Sequence, residues 1–328
     1  MAYENGSATG IPDLMGKLLT FASGLSTTPW TVDENAAQQA TLSRGNCVVS
    51  WKWEVTAPDM MVCYQSLGWV TSVAPHLYTD DSGGGNTTIP TTLYRQVNFI
   101  VPGPYLAYHF FAGEGSTPYI HIVVEVDANR FRHFGFGNIE KYNNWTGGEY
   151  CYGSNWDQGS SYIDVPSSTR HQCGLDHNGF AGLYAATMHV EGLPNQDGAS
   201  KWGAFAADTT TAAGNDRGGN PRAILFGSAR AGLWTRMLGW MRSSVFNAYK
   251  PLMPIEILYK DQSVSPNSFM WLGKQPDVAV INIGSLAVGD TLTVGSDDWM
   301  VFPFVKKQKL GNNTEESWNA GFAYKKII

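Results

Sequence analysis

The stretch YIHIVVEVD, residues 119–127, limits what this chain can fold into more than any other feature. On an extended backbone Ile120, Ile122, Val124 and Val126 fall on one side and His121, Val123 and Glu125 on the other. That is the period-two signature of a half-buried β-strand. The alternation returns in NCVVSWKWEV, MMVCYQSLGWV, VAVINIG, DTLTVG and DWMVFPFV, many of them separated by glycine, asparagine or proline clusters. Runs this short and this frequent predict a mainly β protein, a β-sandwich or barrel-like set of antiparallel sheets, rather than alternating β and α units.

One helix interrupts the pattern near the start. In IPDLMGKLLTFASGL the residues Leu14, Leu18 and Phe21 share a helical stripe, with Met15, Leu19 and Ala22 beside it. Pro12 suits a first turn because proline has no amide proton to leave unbonded there, and Asp13 faces the positive end of the helix dipole. Gly24 is a natural stop. Two stretches read as long loops, the polar, glycine-rich 79–92 and the region from about 155 to 220. RAGLWTRMLGWMRSSVFNAYKPL could hold a short helix with Leu233, Met237 and Trp240 on one face, although Gly232 and Gly239 weaken it. No internal repeat and no clean linker is present, which leaves one elaborated β-rich domain over 1–328, or two closely packed β lobes with a loop-rich middle at about 155–220.

Composition narrows the class of function. The charged fraction is 15%, well below the roughly 25% of an average soluble domain, while aromatics reach 13% and glycine 36 residues. A surface so poor in charge suits permanent contacts with other subunits, because neutral groups cost less to desolvate and aromatic side chains contribute large contact areas. A net charge of −6 argues against a nucleic-acid partner, which normally meets a basic stripe. The locally basic tail, with Lys306, Lys307, Lys309, Lys325 and Lys326, reads as a solvated or subunit-facing end. The opening residues lack the basic start and apolar run of a secretory signal, and nowhere do eighteen apolar residues run together. The expectation is a soluble protein made in a cytoplasm, with no membrane insertion. Cys47, Cys63, Cys151 and Cys173 then read as buried thiols rather than a disulfide framework.

Several constellations could carry chemistry. His171, Cys173, Asp176 and His177 offer zinc-type ligands, with Cys151 as a distant fifth, but their spacing fits no metal motif, and hydrogen-bonding loop residues are the better reading. Glu140, Glu149, Asp157 and Asp164 lie near Trp145 and Trp156, so the carboxylates and aromatic platforms of a cell-wall glycan hydrolase exist in outline. No nucleophile elbow, zinc-protease helix or phosphate loop is present, and DDSGGGN lacks the closing glutamate of a calcium loop. The expectation is no enzyme, no catalytic residues, no metal and no cofactor. Trp145, Tyr150, Tyr152 and Trp156 remain the candidates for an interface between subunits or for a host-surface glycan, since their rings can stack on sugars or bury a large area.

Three blocks of the sequence resemble a family of tailed-bacteriophage virion proteins. In that family a Y-H-F-F segment leads to an apolar strand, then H-x-G-x-G, then W-x-G-G-x-Y and an aromatic-glycine run. Here these are Tyr108 to Phe111, Ile120 to Val126, His133 to Gly137 and Trp145 to Tyr150. DLMGKLLTFA with WTVDE is similar to the family's short helix and G-W-T segment, with Pro29 standing where the glycine is expected. PDVAVINIGSLAVGDTLTVGSDDWMVFPFVKK is similar to its closing strands, with D-x-W-x-V-F-P at Asp297 to Pro303. The match spans about half of the chain, and residues from about 155 to 255 lie outside it. The resemblance implies a structural component of the virion, associated with tail, neck or baseplate and assembled in the bacterial host. Its partners would be other copies of itself and other phage proteins, and it transfers no catalytic residues. A receptor- or glycan-binding module on the particle exterior is the alternative.

Overall fold

A computed structural model of the chain describes residues 3–54, 60–70, 77–79, 97–100, 103–153, 186–193, 202–204, 221–222, 250–261, 268–303 and 320–326. Strand β1 (Tyr3–Ala8) and helix α1 (Ile11–Ser23) come first. Then follow β2 (Thr31–Ala36), β3 (Gln39–Arg44), β4 (Cys47–Glu54), β5 (Met60–Ser66), β6 (Gly68–Val70), β7 (Leu77–Thr79) and β8 (Val97–Ile100). The middle carries β9 (Tyr105–Gly113), β10 (Tyr119–Asp127), β11 (Arg130–Asn138), β12 (Glu140–Lys141), β13 (Thr146–Gly153), β14 (Ala186–Glu191), β15 (Trp202–Ala204) and β16 (Pro221–Arg222). The last elements are β17 (Met253–Asp261), β18 (Ser268–Asn282), β19 (Thr291–Val294), β20 (Asp297–Pro303) and β21 (Ala320–Lys326).

The strands form three main antiparallel sheets. A central sheet runs β1-β9-β10-β11-β13-β14-β15, a second runs β16-β17-β18-β21-β20-β19 with β12 beside β18, and a third runs β2-β3-β4-β5-β8. β6 and β7 pair separately. Among the described residues the architecture is mainly β and antiparallel with a short N-terminal helix, as the alternation and the stripe of Leu14, Leu18 and Phe21 predict.

The central sheet is covered on both faces. Against one face pack α1 and the third sheet, joining Leu14, Leu18, Leu42, Val49, Trp51 and Trp53 to Phe110, Ile120, Ile122, Val124, Phe134 and Phe136. Against the other packs the second sheet, joining Ile255, Ile257, Val280, Phe302, Phe322 and Tyr324 to Phe111, Tyr119, Val123, Phe131, Tyr150 and Tyr152. β10 is therefore not half-buried as its alternation suggests: His121 and Val123 are as fully buried as Ile120 and Ile122. A third layer takes the face that a two-layer sandwich would leave to water.

Helix α1 follows its predicted stripe, with Leu14, Met15, Leu18, Leu19, Phe21 and Ala22 all buried. Asp13 fixes its first turn by accepting from the Thr9 backbone N–H at 2.9 Å and from Lys17 at 2.8 Å. These two donors hold its carboxyl below the ordinary range, the lysine more strongly. The N–H of Gly24 closes the helix on the Thr20 and Phe21 carbonyls.

The region read as a loop from about 155 to 220 is corrected in part. β14 and β15 lie inside it and extend the central sheet, and Met188 and Val190 reach the core shared with the second sheet. Residues 80–92 and the possible helix at 230–249 lie outside the described residues. No helix among the described residues is long and apolar enough to cross a membrane.

Ile122 is fully buried in the middle of the central sheet, where truncation leaves a cavity with little room to collapse. Ile122→Ala should lower stability by about 2–5 kcal/mol, read as a lower urea midpoint with an unchanged slope. A loss below about 1 kcal/mol would show that this face is not tightly packed.

Candidate functional site

The stretch HFGFGNIEKYNNWTGGEYCYG, residues 133–153, forms β11, β12 and β13, and its aromatic and histidine side chains build much of the layer between the central and second sheets. Apolar contact alone would let two sheets slide over each other. Here polar ties cross the layer. His121 Nε2 lies 2.8 Å from the Pro276 carbonyl of β18 and its Nδ1 2.9 Å from the Tyr152 hydroxyl. His133 repeats the arrangement, Nε2 at 2.9 Å from the Pro303 carbonyl of β20 and Nδ1 at 2.8 Å from the Tyr324 hydroxyl. A carbonyl can only accept, so Nε2 carries the proton in both rings. A third tie runs from the Tyr119 hydroxyl to Asp277 at the same end of the layer as Pro276.

Burial lowers the pKa of His121 to about 4, against which the Pro276 carbonyl works only partly. His109, beside the Tyr3 hydroxyl at 3.0 Å, is lowered to about 4 by burial and by the nearby Lys326. Tyr324 is the hub of the layer: its ring stacks on Phe111 at 5.2 Å and on His133 at 5.8 Å.

The glycines of the stretch have specific work. Gly135 sits between His121 and Tyr152 in one cross-strand row. A Cβ there would lie 2.7 Å from the Tyr152 ring and 2.8 Å from the Ile120 carbonyl, so the missing side chain is what lets the tyrosine reach the histidine. Gly147 and Gly148 both have positive φ, 117° and 104°, where β13 slips register against β14. Only glycine adopts that conformation without strain.

The candidate residues from the sequence separate. Tyr150 and Tyr152 are buried in the core, so neither ring faces a partner or a glycan, and core packing replaces that reading of them. Trp145 is half-buried, donates its indole N–H to the Leu272 carbonyl at 3.1 Å, and carries the Lys141 ammonium 5.4 Å from its ring centre. Trp156 lies outside the described residues, as do Asp157, Asp164, His171, Cys173, Asp176, His177 and the 80–86 turn.

Two of the four carboxylates named for glycan hydrolysis have structural partners. Glu149 is buried and accepts from His189 Nδ1 at 2.7 Å, while Glu140 pairs with Lys274 at 3.0 Å. Cys47, Cys63 and Cys151 are buried free thiols, as expected. Burial raises the Cys47 and Cys63 thiols well above their ordinary range, so neither is a ready nucleophile. Of the basic tail, Lys325 pairs with Asp297 at 3.0 Å and Lys326 lies 4.7 Å over the Tyr3 ring.

A second group emerges on the surface. Tyr142 and Trp271 are 46% and 45% exposed. The Tyr142 backbone N–H and the Trp145 indole N–H both donate to the carbonyl of Leu272, next in sequence to Trp271. The Tyr142 hydroxyl sits on both oxygens of buried Glu256, at 2.9 and 2.7 Å. Burial, then Glu256, pushes this phenol up to about 12. Sequence reading passed over Tyr142, Glu256 and Trp271 because they are 114 or more positions apart or lie in a run with no alternation. The only signal was Tyr142, inside an aromatic stretch already singled out. No known family profile and no curated protein matches the chain.

Two outcomes follow from the buried layer. An unfolded histidine protonates near pH 6.5 but His109 and His121 do so only near 4 in the fold. Between those values the unfolded state binds more protons, so stability is full above about pH 6.5 and falls as pH drops toward 4. The slope is up to roughly 1.4 kcal/mol per pH unit per histidine. Urea midpoints measured from pH 7 to 4 should decline across this window, and a flat profile would show these rings to be solvated. Gly135→Ala should cost about 1–3 kcal/mol through overpacking, and a thermal midpoint equal to wild type would refute the seat assigned to Tyr152.

Proposed function

We propose that the chain is a structural component of a tailed-phage particle, one of several copies in a ring or collar of the tail, neck or baseplate. The observation that carries this reading is the convergence of the three blocks in which the sequence resembles phage virion proteins. Residues 108–150 supply β9 to β11 and the start of β13 of the central sheet. The N-terminal block supplies α1 on one face of it. The C-terminal block supplies the second half of β18, β19 and β20 on the other, where Phe302 packs 4.8 Å from His109 and Pro303 accepts from His133. Residues 170 positions apart, His133 and Pro303, thus meet in one packed unit, which favours a resemblance of a whole body over three chance likenesses.

The physical character of that unit suits the role. A ring position demands a body that keeps its shape under load, and buried polar contacts between the central and second sheets resist sliding. Cyclic assembly uses two different surfaces of one subunit that meet head to tail and close, and a surface low in charge makes such contacts inexpensive to desolvate.

Gold-labelled antibody against the purified chain, applied to intact particles of a phage that encodes it, tests the reading. Label at the neck or tail in several copies per particle is the expected result. Particles that carry no label, while the free protein binds the antibody, would overturn it.

A further inference from the structure

We propose that the surface around Tyr142 and Trp271 is a binding site for an uncharged saccharide. Such a site goes beyond the assembly role and would stand without it, since it rests on the geometry of β12, β17 and β18 alone.

Three features fix the class of ligand. The first is aromatic surface held in place. Trp271 is next to Leu272, whose carbonyl anchors both Tyr142 and Trp145. Trp271 pairs with Leu258, two positions from Glu256 on β17, so the Trp271 side chain lies on the sheet face that carries Glu256 and Tyr142. Sugar rings present apolar C–H faces that stack on such surfaces, and the rigid tyrosine and tryptophan rings lose little entropy in receiving them.

The second is area. At 46% and 45% exposure, Tyr142 and Trp271 offer roughly 200 Å² between them. A stable contact between two proteins takes about 800 Å² from each partner. The patch is about a quarter of that, and it fits the faces of one or two sugar rings.

The third is the rim. Glu140 and Lys274 form an ion pair at 3.0 Å with side chains 39% and 37% exposed. Both side chains reach water, where sugar hydroxyls can donate to the carboxylate and accept from the ammonium. Among the described residues Glu140 and Glu256 are balanced by Lys141 and Lys274, which favours an uncharged ligand over an ionic one. Tyr142 is held by Glu256 at both carboxylate oxygens, which presets its ring before a ligand arrives.

The test is a glycan array carrying uncharged N-acetylhexosamine and hexose oligomers alongside sialylated and uronic-acid oligomers, probed with the full chain. Signal on uncharged glycans is expected. Trp271→Ala should weaken it by about tenfold or more, read at a temperature where the variant is folded, because the side chain is 45% exposed and its covered part contributes to stability. Tyr142→Ala serves as a second variant with the same expected loss, and Tyr142→Phe, which keeps the ring but loses its hold on Glu256, should bind between Tyr142→Ala and the unaltered protein. No signal at millimolar glycan, signal only on acidic glycans, or binding indifferent to Trp271→Ala would overturn the proposal. Concentration-dependent self-association in sedimentation that Trp271→Ala abolishes would also overturn it, making the patch a contact between copies. Either result leaves the particle-labelling experiment independent.

Discussion

The fold depends on a layer of tyrosine, phenylalanine and histidine rings buried between two sheets. Hydrophobic area drives the sheets together, but area is non-directional and sets no register. Register comes from polar groups that have one partner each in the dry interior. With Nε2 committed to a carbonyl across the layer, His121 and His133 can be satisfied only when β18 and β20 lie where they do. A buried polar group left unpaired costs about 1–3 kcal/mol, so displaced arrangements of the sheets are penalised at both rings.

The other features of the central sheet serve that layer. Gly135 gives Tyr152 room to reach His121, and the positive-φ glycines 147 and 148 absorb a register slip between β13 and β14 close to Glu149 and His189. On the opposite face the packing is of another kind. Trp30 and Trp51 both meet Phe136 edge-on at 5.0 Å, and one cross-strand hydroxyl pair, Thr41 and Ser50 at 2.9 Å, sits in the third sheet. One face is specified by hydrogen bonds and the other mainly by shape, a division that lets a single sheet carry two different layers.

Much of the architecture was legible because it is local. The stripe of Leu14, Leu18 and Phe21 and the alternation of Trp51 and Trp53 about exposed Lys52 are periodicities within a few residues. The burial of both faces of β10 was not legible, since His121 and Glu125 read as a polar face and nothing nearby in sequence states that a third layer will cover it. Tyr150 and Tyr152 failed as surface candidates for the same reason: aromatic density looks alike in a core and at an interface. The surface group around Tyr142 failed in the opposite sense, because Glu256 and Trp271 join it only through strand pairing at long range.

Histidine ring nitrogens report the central claim most directly. Long-range proton–nitrogen correlation spectra of the ¹⁵N-labelled protein assign the proton on each ring and follow it with pH. The account predicts a proton on Nε2 of both His121 and His133, and a titration of His121 displaced far below the ordinary histidine range, to about 4. A His121 ring that carries its neutral-state proton on Nδ1 would mean that it does not bond the Pro276 carbonyl, and one that titrates near 6.5 would mean that it is not buried in the layer. The layer would then lack its His121 tie and rest on apolar packing with the His133 and Tyr119 ties.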